Sequence, residues 1–261
     1  HRCSFFPPLF DSEEAGGSAA KKTEQFMTLN IVEIDRRRFL GALAAVAAGY
    51  LLPGSIAAAQ PVLNSYPFLL GVASGSPLPD GFVLWTRLLG DDPAQHNALE
   101  VRWEVFEDGR PDAIVAQGRA KAFADLAHSV HVEVGGLQPD RWYGYRFMIG
   151  DAVSPSGRTR TLPLPDAVVN GLRFAYASCQ RWEDGYYAAY RHMLAESLDL
   201  VVFVGDYIYE YASRQENTAR SHALPHIRTL ADYRARYALY KSDPDLQRMH
   251  AACPWLLTWD D

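Results

Sequence analysis

The sequence predicts two folded parts in tandem, a small antiparallel β-sandwich and then an open α/β domain with parallel strands. Two observations carry this. Over residues 66–163 short runs alternate apolar with polar side chains and are separated by Gly and Pro, as half-buried antiparallel strands require. Over residues 171–261 unbroken apolar runs alternate with helical patterns, which reads as βαβ units and a parallel sheet.

Length and composition suit this reading. The 261 residues are enough for two domains, and 48% hydrophobic with 21% charged residues describes an ordinary globular chain. A net charge of −6 and the lack of a Lys/Arg cluster argue against a nucleic-acid-binding surface. Three cysteines, Cys3, Cys179 and Cys253, are too few for a disulfide framework or a Cys-rich zinc site. The chain opens on His1 and stops just after an apolar run. Both ends therefore read as cut, with Met27 a plausible start and residues 1–34 an upstream or disordered segment.

Residues 35–59 read as an export signal. Arg36, Arg37 and Arg38 precede Phe39 and Leu40, an Ala- and Gly-diluted apolar stretch follows, and Ala57-Ala58-Ala59 offers a cleavage site before Gln60. The apolar core, about 14 residues, is short against the roughly 20 of a membrane span. A short buried helix with a basic start is the alternative. The arginines followed by Phe-Leu look like a twin-arginine signal, which exports proteins already folded. The expected destination is the periplasm or the exterior, with the export machinery as a partner and no stable membrane anchor.

In the β part, Val101, Trp103 and Val105 alternate with Arg102 and Glu104. Val130, Val132 and Val134 form a second alternating run, and Tyr143, Tyr145 and Phe147 share one face of a third. The stretch "LQPDRWYGYRF" resembles the fibronectin type III pattern, which makes the expected fold an immunoglobulin/fibronectin III-like sandwich. By that likeness Tyr143 is a tyrosine-corner residue, its hydroxyl bonded to upstream backbone. No polar cluster suggests chemistry here, and a scaffold role is expected. Residues 154–171 carry Pro155, Pro163 and Pro165 and read as a linker.

Beyond it, "LRFAYASCQ" reads as a strand. Tyr186, Tyr190, Met193 and Leu194 form one stripe of a helix, and "LDLVVFVGD" is an apolar strand expected to be covered on both faces. Parallel strands joined by a crossover end on the same side of their sheet. Cys179 and Asp206, each just past a strand, should therefore face one crevice at the carboxyl edge, where open α/β sheets bind ligands. "TLADYRARYALY" reads as a helix. Asp243 and Pro244 are an N-cap and first helical residue for "PDLQRMHAA", and "PWLLTW" is a third strand, ending in Asp260 and Asp261.

Carboxylates beside core strands are costly unless paired, and their convergence points to bound cations. Blander readings stand beside this one. Cys179 is a small buried hydrophobe or pairs with Cys253, a labile redox couple. Cys253 alone is a core residue. Tyr207, Tyr209 and Tyr211 are packing aromatics, and Asp206 caps a turn. In the loop over residues 212–230, Arg214, Arg220, Arg228, His222 and His226 read as solvated surface, with one arginine a possible clamp for phosphate oxygens.

The strings "FAYASCQRWEDGYYAAYRHM", "DLVVFVGDYIYEY" and "TLADYRARYALYKSDPDLQRMHAACPWLLTWDD" resemble the PhoD-like alkaline phosphatase family, within the metallophosphatase superfamily. The likeness runs from about Phe68 to the last residue. It implies a multidomain chain: the β-sandwich as the family's N-terminal domain, then a C-terminally truncated αββα metallophosphatase domain at residues 171–261. It implies metal ligands at Cys179, Asp206, Tyr209 and Asp261. Cys179, Asp206 and Tyr209 would hold a ferric ion (Fe3+), and Asp206 would bridge to calcium (Ca2+). Ser178-Cys179-Gln180 in place of Asp-x-His sets the chain apart from the purple acid phosphatase type.

The implied activity is that of a secreted alkaline phosphatase or phosphodiesterase, a monomer hydrolysing phosphate esters through a metal-activated hydroxide or oxide. The family's "WDD" continues into His-Glu and further ligands downstream, so this piece alone is expected to be inactive, with an exposed sheet edge. The choice between monoester and diester is not legible. The competing class is a secreted binding module whose β-sandwich recognises a ligand and whose α/β half is inert.

Overall fold

The computed structural model describes residues 63–258 apart from 215, 217, 223 and 224. The export signal expected at residues 35–59 and the upstream segment lie outside the described residues, as does Asp261. All described residues belong to one unit, Ala57–Asp261. Among them no helix is long and apolar enough to cross a membrane.

The molecule is mostly β. Strands β1 (Val72–Leu78), β2 (Gly81–Arg87), β3 (Ala98–Glu107), β4 (Ile114–Phe123), β5 (Ser129–Val134), β6 (Trp142–Ile149), β7 (Ala152–Val153) and β8 (Gly157–Arg160) come first, with a short helix α1 (Asp91–Ala94) after β2. Then follow β9 (Phe174–Ala177), α2 (Ala188–Met193), β10 (Leu200–Val204), α3 (Leu230–Lys241), α4 (Pro244–Ala252) and β11 (Trp255–Thr258). One sheet has the order β4-β3-β6-β7, with β8 also on β6; the other runs β5-β2-β1-β11-β10-β9.

The alternating patterns fold as read. Val101 and Val105 of β3, Val130, Val132 and Val134 of β5, and Tyr143, Tyr145 and Phe147 of β6 are buried in one apolar cluster with Phe82 and Leu84 of β2. Tyr143 behaves as its corner position implies. Its hydroxyl donates to the Gln138 carbonyl at 3.3 Å and accepts from the Gln138 amide at 3.0 Å.

Past the linker, β9, β10 and β11 are parallel neighbours, with Val201 beside Ala175 and Trp255. Val201, Phe203 and Trp255 pack on Tyr190, Leu246 and Met249 in a second apolar cluster. Both later helices begin at side-chain caps, that of α4 being the one expected. Thr229 and Asp232 form a reciprocal capping box for α3, and the Asp243 carboxylate accepts from the Asp245 and Leu246 amides of α4.

The stretch read as a linker, residues 154–171, carries strand β8, paired with β6, and three further details differ from the sequence reading. Strand β1 pairs in parallel with β11, Gly75 opposite Trp255, so one sheet runs through both parts of the chain. Such a contact has no local pattern to announce it. A Cβ on Gly75 would sit 2.7 Å from the Trp255 carbonyl oxygen, so the approach requires glycine.

Strand β10, expected to be covered on both faces, is buried on one. Val201 and Phe203 are inside, while Val204 is 47% exposed, and Tyr176 and Leu256, the sheet neighbours of Val202, are also exposed. Helix α2 starts after Tyr187, so Tyr187 rather than Tyr186 is buried. The Tyr187 hydroxyl donates to the Gln180 carbonyl at 2.6 Å, a bond that sets the helix entry and turns Tyr186 outward.

Gly75→Ala is expected to lower stability by about 1–3 kcal/mol through overpacking at the β1–β11 junction. Urea unfolding monitored by tryptophan fluorescence checks this, and an unchanged midpoint would contradict it.

Candidate metal centre

Register decides where the polar side chains emerge. Ala177, the last residue of β9, lies beside Phe203 of β10. Beyond these strands two more backbone bonds continue the ladder, from the Cys179 amide to the Gly205 carbonyl and from the Gln180 amide to the Asp206 carbonyl, both 3.2 Å. Cys179 and Asp206 therefore leave adjacent parallel strands on the same edge of the sheet.

Both residues take the left-handed conformation, Cys179 at φ 57° and Asp206 at φ 54°, just after Gly205 at φ 100°. For a non-glycine residue this costs about 1–2 kcal/mol, and such outliers gather at functional sites. The turn redirects each side chain away from the sheet faces that the strand period would otherwise dictate.

Tyr209 closes the group. Its hydroxyl donates to an Asp206 carboxylate oxygen at 2.7 Å, and the Cys179 thiol is near enough to act on it electrostatically. Burial pushes the Tyr209 phenol far above its ordinary pKa, and the hydrogen bond and negative charge of Asp206 push it further, with Cys179 adding to them. In this state Tyr209 is a neutral donor; only a strong positive charge in the cluster would make it a phenolate.

The three side chains read from the sequence are thus brought together. Asp261 lies outside the described residues. Among those described, no three His, Cys, Asp or Glu side chains converge on a metal position; the third donor here is a phenol. With all protons removed the group carries three negative charges, a donor set that fits a trivalent cation with some affinity for sulfur. Calcium prefers six to eight oxygens, and at this cluster Asp206 is the one carboxylate among the described residues.

The blander assignments sort themselves individually. Cys179 and Cys253 are both free thiols, which overturns the redox pairing. Cys253 is buried in the second apolar cluster, and burial raises its pKa to about 12, with Asp199 contributing. Tyr207 is a packing residue, its ring edge-on to Phe203 and stacked on Tyr237, its hydroxyl 2.8 Å from His250 Nε2. Tyr211 is exposed.

The loop after Tyr211 departs from the solvated surface expected of it. The Arg220 side chain is only 8% exposed; it lies over the Trp182 ring, bonds the Trp182 carbonyl and pairs with Asp243 at 2.7 Å. Buried Glu183 accepts from the Ser213 hydroxyl and the Arg214 amide, and buried His222 lies 3.9 Å from the same carboxylate. Arg214 also pairs with Asp184. These charges tie the loop to the turn after β9, whereas Arg228 and His226 are exposed as expected. Missed in the sequence was Glu183, whose only local signal is a charge flanked by Trp182 and the "YY" pair.

Comparison with known proteins gives a consistent result. Residues 174–261 match the PhoD-like phosphatase family, and residues 55–163 match the PhoD-like phosphatase N-terminal domain. Alkaline phosphatase D of Bacillus subtilis (strain 168) is 48% identical over 244 residues, covering 87% of this chain and 42% of that protein. A solved structure of PhoD superposes with a TM-score of 0.73 at 51% identity, over 77% of this chain and 40% of that one. The chain thus spans about two-fifths of the length of these relatives.

Two outcomes follow for the cysteines. In a Cys3→Ser background, a chromogenic disulfide reagent is expected to titrate Cys179 quickly in the native protein and Cys253 only on unfolding; a second fast thiol would contradict this. Cys179→Gly, by relieving the left-handed strain, is expected to leave the metal-free protein equally stable or more so by up to about 1 kcal/mol. A clear loss in urea unfolding would count against it.

Proposed function

This chain belongs to the PhoD-like phosphatase family, and we propose that it is part of an exported, metal-dependent hydrolase of phosphate esters. The carrying observation is that Cys179 and Asp206 leave the ends of two adjacent parallel strands on the same edge while Tyr209 bonds the Asp206 carboxylate. We assign these three as ligands of a ferric ion, with Asp206 shared with calcium and Asp261 as a further ligand. When bound, such ions supply Lewis-acid charge for phosphoryl oxygens and lower the pKa of water.

The residues themselves contribute orientation. The strained turns at Cys179 and Asp206 aim thiol and carboxylate into one notch. Arg181, whose guanidinium lies 5.5 Å from the centre of the Tyr209 ring, brings positive charge beside it. The β part, residues 66–163, is read as an immunoglobulin/fibronectin-like scaffold, and residues 171–261 as the opening portion of the metallophosphatase domain. The apolar, exposed side of β9 and β10 accords with a sheet that has further polypeptide to bury in the longer relatives. Residues 35–59 are read as a twin-arginine signal that carries the folded protein out of the cytoplasm.

The 261-residue chain, refolded with ferric ion and calcium, is expected to show a visible tyrosinate absorption band and little or no turnover of p-nitrophenyl phosphate. Tyr209→Phe should abolish the band and weaken ferric binding by more than the 10–100-fold typical of losing an outer-shell partner. A colourless protein that is active with zinc alone would refute the iron assignment. Rapid turnover by this chain would refute the incomplete-site reading.

A further inference from the structure

We propose that Arg236, on α3, is a positioning residue that sets where Tyr209 stands relative to Asp206 and Cys179. Its side chain is fully buried, 0% exposed, and among the described residues it forms no ion pair with a carboxylate within 4.0 Å. A buried guanidinium is costly unless its hydrogens are used; Nε has no hydrogen-bond partner among the described residues, and both terminal nitrogens bond carbonyls within residues 209–225. Nη1 donates to the Tyr209 carbonyl and, at 3.1 Å, to the Tyr211 carbonyl; Nη2 donates to the Pro225 carbonyl at 3.0 Å.

The first of these acceptors is the carbonyl of Tyr209 itself, and the three lie at both ends of the loop that follows it. Neighbouring contacts tighten the same grip. Tyr237, next to Arg236 on α3, stacks on Tyr207 at 5.8 Å. The Ile227 amide donates to the Glu210 carbonyl at 2.9 Å, closing the loop on itself.

Helix α3 thereby holds the peptide unit that follows Tyr209 and, through Tyr237, the Tyr207 ring two residues before it, while Asp206 and Cys179 are held by the sheet. The distance between the two supports decides whether the Tyr209 hydroxyl meets its partners. A forked, planar donor is suited to bridging several carbonyls at fixed angles, which a single ammonium on a shorter reach reproduces poorly. Arg236 touches none of the three reacting side chains, so its effect passes through the backbone of Tyr209.

This inference rests on the proposed metal role of Tyr209, and the test separates the two. The full chain is labelled with 3-fluorotyrosine, and the Tyr209 fluorine resonance is assigned through Tyr209→Phe, with the buried Tyr143 as an internal reference. In Arg236→Met, and less severely in Arg236→Lys, the metal-free Tyr209 signal is expected to shift towards that of solvent-exposed tyrosine while the Tyr143 signal stays put. Ferric affinity, read from the visible band, is expected to fall 10–100-fold.

An unmoved Tyr209 resonance in folded Arg236→Met would overturn the proposal. So would loss of the Tyr143 signal in both variants, because Arg236 would then support the whole fold and not Tyr209 in particular. Absence of any ferric band in the unsubstituted chain would defeat the metal assignment while leaving the fluorine result to judge Arg236.

Discussion

The parallel register of β9 and β10 is the constraint on which the site depends. With Ala177 beside Phe203, two chains reach the sheet edge level with each other, and the extra bonds from the Cys179 and Gln180 amides keep them level for two more residues. A slip of one residue would turn Cys179 or Asp206 to the opposite face, because side-chain direction alternates along a strand. The register itself is held by packing. Phe203 stacks on Trp255 across β10 and β11, Trp255 stacks on His250 from α4, and Tyr190 from α2 tilts onto the same indole.

Strain and packing work against each other here in a definite way. Two left-handed non-glycine residues within one small group cost about 1–2 kcal/mol each. That cost is borne by a cluster that joins α2, α3 and α4 to β9, β10 and β11. The loop after Tyr211 adds a second restraint through Glu183 and Arg220, both anchored on the turn that begins right after Cys179 and Gln180. Loop charges thus serve to fix the neighbourhood of the site from the solvent side.

Much of this was legible in the sequence, for physical reasons that can be named. Alternation in β3, β5 and β6 reports one buried face, and the cap Asp243 satisfies amides only at a helix start. Cys179 and Asp206 were picked out because apolar strands ending in polar residues follow from the chain order alone, and the family resemblance then added Tyr209 and the ligand roles. Long-range choices stayed hidden. The β1–β11 pairing depends on Gly75 meeting a carbonyl far along the chain. Tyr187 displaced Tyr186 because a hydrogen bond to Gln180 overrode helical periodicity. The apolar run of β10 suggested two covered faces, but apolarity cannot say which neighbour covers each.

The β1–β11 contact also has a temporal side. Its two strands are about 180 residues apart in the chain, and at the roughly 5–20 residues per second of synthesis the first waits about ten seconds or more for the second to leave the ribosome. Until then the edge of β1 has no partner, and long-range pairings of this kind form slowly in any case. Closure of this sheet is therefore a late event in biogenesis, and the nascent β part has to persist without it.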